Sequence, residues 1–154
     1  MKDPDHLTHE EVAAWDGMLH IHSRVIRAFD ELLRTQFDFT IGEFDVLATL
    51  QEAPGGDGLR MSDLAGRVRG SPSRMTRRVE ALEEVGYVER RPDPNDGRAV
   101  RAHITDQGNA QMNSIARSHH ALVRAMFLDH ITDSEQSQLG RIWQRMLDGG
   151  GETA

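Results

Sequence analysis

Ten arginines and seven acids lie between residues 60 and 101, a net +3 in a chain of 154 residues with formal charge −7. The rest of the chain therefore carries −10. Within the basic stretch, Arg67 to Arg78 holds five arginines and no acid, and the only lysine is Lys2. Guanidinium groups bind phosphates and base-edge acceptors in fixed geometries. A basic patch on an acidic body can hold a polyanion while the body discourages unspecific adhesion. A second group, Asp96-Gly97-Arg98, sets an acid beside a base in a turn. An arginine there could reach into a narrow minor groove, where negative potential is enhanced. Free in solution, it would lose up to about 2 kcal/mol of rotamer freedom on binding. Asp96, by pairing with Arg98, would brace it beforehand.

These residues need elements to aim them, and helix starts are legible. Thr8-His9-Glu10-Glu11, Thr40-Ile41-Gly42-Glu43 and Thr132-Asp133-Ser134-Glu135 have the form of capping boxes. Ser62, Ser71 and Thr105 are further N-cap candidates, with Pro72 suited to a first helical position. Apolar spacing predicts helices over about 10–34, 41–51, 62–68, 72–85, 106–130 and 133–147. Leu59-Arg60-Met61 reads as a short extended piece, Arg69-Gly70 as a tight turn and Gly86 as a helix stop. The period then changes to two: Tyr87 to Arg91 and Val100 to Ile104 read as paired strands, with Asn95-Asp96-Gly97 as the hairpin turn.

A short helix, a glycine turn and a second helix make a helix-turn-helix, and a hairpin directly after it is a wing. On the fourth helix, Met75, Val79 and Leu82 share one face. Arg74, Arg77 and Arg78 share the other, with Ser71, Ser73 and Thr76 beside them. Such a surface suits major-groove bases and flanking phosphates. A merely solvated helix face would carry acids four residues from its arginines, and none stands between Arg67 and Arg78.

Asp96-Gly97-Arg98-Ala99-Val100-Arg101-Ala102-His103-Ile104-Thr105 resembles the wing signature of the MarR transcriptional regulators, with Ile104 for the usual leucine. Residues 59–65, 73–83 and 86–91 resemble that family's entry to the motif, recognition helix and strand into the wing. The resemblance covers about Glu10 to Leu147. It implies a mainly α (α+β) fold: a single domain over 1–154, with a winged helix-turn-helix lobe at 40–105 and dimerisation helices at 10–36 and 106–148. It further implies a homodimeric, sequence-specific DNA-binding regulator, a repressor or an activator, acting on double-stranded DNA; the lack of cysteine and the polar, acidic N-terminus make the cytoplasm the default compartment. Ser71, Ser73, Arg74, Thr76, Arg77 and Arg78 would contact DNA from the helix, Arg98 from the wing, and Arg101 would touch a phosphate or face the sheet. Family members often bind small aromatic or phenolic effectors. Trp15, His22 and Phe44 are the residues placed to line such a crevice here, with core packing as the competing role. The other function class weighed is a winged-helix adaptor binding an acidic protein.

A dimer also has a reason in the residues. Trp15, Phe29, Met126, Phe127, Trp143 and Met146 exceed what a thin helical layer can bury alone, and two-fold pairing would cover them isologously. Recognition helices about 34 Å apart would then match a pseudo-palindromic operator.

The chain has no cysteine, which removes disulfides and thiolate metal sites. His20 with His22, and His119 with His120, diverge on helices, so no metal is expected and no cofactor. Asp93 to Gly97 has its glycine one place early for a calcium loop, and no glutamate at the twelfth place. No nucleophile elbow, phosphate loop, dinucleotide fingerprint or zinc-hydrolase motif occurs, so no enzyme is expected. No apolar run reaches membrane-spanning length.

Overall fold

The computed structural model describes residues 6–53, 57–68 and 72–149. The order is α1 (His9–Leu32), α2 (Ile41–Gln51), β1 (Leu59–Arg60), α3 (Met61–Arg67), α4 (Pro72–Glu84), β2 (Val88–Asp93), β3 (Asp96–Ile104), α5 (Asp106–Met126) and α6 (Asp133–Gly149). The chain packs as two units, 29–118 and the pair 1–28 with 119–154. Among the described residues, no helix is long and apolar enough to cross a membrane.

Unit 29–118 holds the winged helix-turn-helix, and every buried apolar residue of the described chain lies in it, from Phe29 to Ile115. Leu47 on α2, Leu64 on α3, and Met75, Val79 and Leu82 on α4 meet there. The 3.6-residue period aims each of these at one centre. The unit extends past 40–105 because Phe29 and Leu33 at one end, and Met112 and Ile115 at the other, are buried in the same core.

Three local devices set the frame. Thr40 and Glu43 make the reciprocal capping box that starts α2. Gly86, at φ 79°, ends α4. Its amide donates to Glu83 O (3.0 Å) and the next amide, of Tyr87, to Leu82 O (2.9 Å). This pair of bonds satisfies the last carbonyls of the helix and turns the chain into β2. Thr105 accepts from the Gly108 amide at the start of α5 and donates its hydroxyl hydrogen to Gly86 O, joining the two helix ends.

The sheet runs β1-β3-β2, antiparallel throughout. Leu59 pairs with Ala102 and Arg60 with Arg101, while Val88 to Asp93 pair with Ile104 back to Asp96, with a bulge between Pro92 and Asp93.

The structure departs from the sequence expectations at four places. α3 begins at Met61, so Ser62 sits inside the first turn rather than capping it; its hydroxyl meets Asp63. The hairpin turns at Pro94-Asn95, not at Asn95-Asp96-Gly97, because Asp93 accepts from the Asn95 amide and closes the turn early. α1 ends in a π-helical turn, Leu33–Phe37, with Asp38 left-handed (φ 55°). The fifth helix stops at Met126, and a 3-10 turn, Leu128–His130, follows. The predicted Arg69-Gly70 turn and the Ser71 cap lie outside the described residues.

The other unit comprises the two terminal stretches. Thr8 with Glu11 and Thr132 with Glu135 form the expected capping boxes. The hydrogen bonds from Thr132 hold the Glu135 carboxyl below its ordinary range. The apolar stripes of this unit are mostly in the open: Trp15 is 55% exposed, Met146 59% and Leu147 76%. Between them runs an apolar groove of 880 Å³, its walls including Trp15, His22, Ile26, Phe127, Trp143 and Met146.

Candidate nucleic-acid interface

Charge pairing sorts the arginines of the basic stretch into two groups. Arg60 and Arg101 both bind the Asp93 carboxylate, at 2.8 and 3.1 Å. Arg90 pairs with Glu83 at 2.7 Å and approaches Glu80 at 3.9 Å, tying the wing to α4; the Glu83 bond raises its pKa. Arg91 pairs with its strand neighbour Glu89. Arg78 packs back on α2: a Cβ at position 42 would collide with its guanidinium, so only glycine admits it there. Burial raises the Asp45 carboxyl, and the nearby charge of Arg78 opposes that shift.

The second group is what remains. Among the described residues, Arg67, Arg74, Arg77 and Arg98 are exposed and have no acid within 4 Å. Arg67 ends α3, Arg74 and Arg77 lie on α4, and Arg98 is on β3. Placing Met75, Val79 and Leu82 in the core fixes the rotation of α4, so Arg74 and Arg77 turn outward with Ser73 and Thr76. Unpaired guanidinium groups keep all five donors for an incoming anion.

The expected site residues therefore separate. Ser73, Arg74, Thr76, Arg77 and Arg98 are exposed on the elements expected to carry them. Ser71 lies outside the described residues. Arg78 leaves the helix's outer face for α2 because Gly42 opens a slot for it. Arg101 donates inward, to Asp93 and to the carbonyls of Asp57 and Gly58, so it faces the sheet and its flank. Asp96 accepts from the backbone amide of Arg98 (3.1 Å). No ion pair joins the two side chains, so the acid shapes the strand start under Arg98 instead of extending its guanidinium. Arg98 lies beyond the Pro94-Asn95 turn, in the three-residue stretch 97–99 that the register leaves without a partner on β2.

Of the crevice residues, Trp15 and His22 line the groove of the terminal unit. Phe44 belongs to the winged unit, where it packs edge-on to Phe29 with ring centroids 4.9 Å apart. Sequence reasoning missed Asp93, the one buried charged residue among those described. Its signal was an aspartate two places before Asn95, the spacing of an Asx turn. Among the described residues, no group of three His, Asp or Glu side chains is placed to hold a metal.

The sequence profile of the MarR family matches residues 39–100, from the end of the π turn to the wing. The HTH-type transcriptional regulator PecS of Dickeya dadantii is 30% identical over 93 residues, 60% of this chain and 55% of its own. The chain thus matches about half the length of that relative. The transcriptional repressor MprA of Escherichia coli is 24% identical over 140 residues, 90% of this chain and 77% of that protein. Among solved structures, Sco3205, a MarR family transcriptional regulator from Streptomyces coelicolor in complex with DNA, superposes with a TM-score of 0.79. It is 28% identical, over 100% of this chain and 95% of that one. The winged helix-turn-helix, the matched profile and this end-to-end likeness agree: residues 39–100 form a MarR-family winged helix-turn-helix, in a chain that resembles MarR regulators along its length.

Proposed function

We propose that the protein is a sequence-specific DNA-binding transcriptional regulator, a repressor, acting in the cytoplasm as a homodimer on a pseudo-palindromic operator. The observation that carries this reading is the set of unpaired, outward arginines on α3, α4 and β3. α4, with Ser73, Arg74, Thr76 and Arg77, enters the major groove, and Ser71 at its start belongs with them. Arg98 follows the minor groove beside it. Arg78 and Arg101 act from behind, by holding α4 to α2 and the wing to its base. The second copy covers the open apolar stripes of the terminal helices. Relief by a small aromatic or phenolic effector would involve Trp15 and His22, which line the groove that the second copy covers.

Duplex DNA is favoured over an acidic protein partner because a relative of matching length was solved on DNA. The test is selection of genomic fragments by the purified protein, followed by titration against the winning fragment and a random duplex across a range of salt. A preferred fragment, bound with a steep negative slope of log affinity on log salt, is expected. Equal micromolar affinity for both duplexes would favour the adaptor.

A further inference from the structure

Asp93 stands at the junction of three elements. Its side chain is fully buried, yet its two oxygens receive three donors: Arg60 Nε at 2.8 Å, Arg101 at 3.1 Å and the Asn95 amide at 2.8 Å. Arg60 is the last residue of β1 and abuts Met61, the first of α3. Arg101 is its strand partner on β3 and also donates to Asp57 O and Gly58 O, both at 2.9 Å. Asp93 ends β2 opposite Asp96, the residue whose carboxylate holds the Arg98 amide. One carboxylate beside the hairpin turn thus ties the start of the helix-turn-helix to Arg101 of β3, three residues from Arg98.

Two arginines so close repel each other, and only the shared anion reconciles them. A buried ion cluster of this kind is a poor source of net stability but a good one of fixed geometry. We infer that Asp93 is a positioning residue for DNA binding: by clamping Arg60 and Arg101 it fixes the wing, and with it Arg98, relative to α3 and α4. The inference rests on the DNA-binding reading above. Bonds from Arg60, the Asn95 amide and Arg101 hold the carboxyl far below its ordinary range, against the effect of burial, so the clamp is closed at every physiological pH.

A double-mutant cycle on the preferred duplex tests this, with dimerisation and melting temperature recorded alongside. Asp93→Asn should weaken binding roughly tenfold, the scale of directly coupled residues, with the dimer intact. Added to Arg98→Ala, it should weaken binding no further. If Asp93→Asn does not fold, Arg60→Gln opens one arm from the half-exposed side and should show a smaller loss with the same non-additivity. A purely structural role would lower the melting temperature, yet its effect on affinity would multiply with that of Arg98→Ala, and that result overturns the inference. Tighter binding by Asp93→Asn, from arginines released toward DNA, overturns it equally. A wild-type protein with no salt-dependent duplex binding would sink the underlying reading itself and the inference with it.

Discussion

The winged unit and the terminal helices treat apolar residues in opposite ways. In the winged unit, Leu33, Val46, Leu47, Leu64, Val79 and Ile115 are wholly buried within a single chain. In the terminal unit, Leu7, Val12, Trp15, Leu19, Ile142, Trp143, Met146 and Leu147 stay in the open. Each region has a strongly amphipathic helix, α4 in one and α6 in the other, so that pattern alone does not separate them. The difference is in who supplies the second layer. The winged unit closes on its own sheet and helices, while the terminal helices leave an apolar face open, the face that the proposed second copy would cover.

That contrast can be broken most forcefully at α6. Trp143→Asp should yield a monomer in sedimentation and lower operator affinity on the order of 10²–10⁴-fold, the loss expected when two linked half-sites act singly. A variant that remains dimeric would show that the open stripe is not the interface. Within the winged unit, Leu47→Ala should cost about 2–5 kcal/mol of stability through the cavity it leaves. Its melting temperature should fall by the same amount at every protein concentration, whereas that of Met146→Ala should depend on concentration. The smallest effect is in acid. The Asp93 carboxyl is depressed in the folded state, so the unfolded chain binds more protons and stability falls as pH falls. The contribution is complete above the ordinary carboxylate value near 3.8 and is lost below it. Thermal melts from pH 5 to 2 should therefore be less steep for Asp93→Asn than for the wild type.

Much of the fold was legible because its signals are local. The Thr40 capping box, the Gly86 stop and the 3.6-residue spacing of Met75, Val79 and Leu82 each involve residues within a few places of one another. The π turn at Leu33–Phe37 has no such signal, since it depends on where Leu33 and Phe39 must enter the core. In the site, the outward residues of α4 followed from helical phase. The exceptions come from partners distant in sequence. Arg78 turns aside because residue 42 is glycine, and Arg101 turns inward because residue 93 is a buried aspartate. Asp96 was read as a side-chain partner of Arg98 when its bond is to the backbone. Charge counts show how many arginines a stretch holds, but only the folded chain shows which of them are already matched.

That division between matched and unmatched arginines is most directly tested by the salt dependence of duplex binding in single variants. Arg74→Ala, Arg77→Ala and Arg98→Ala should each weaken binding by about 1.5–3 kcal/mol, as expected for a lost bond to a charged group. Wherever the lost contact was to a phosphate, the slope of log affinity on log salt should shrink by about one. Arg90→Ala, which removes a guanidinium already held by Glu83, should leave that slope unchanged. Equal slope losses at Arg90 and at Arg98, or none at any of the four, would contradict the account.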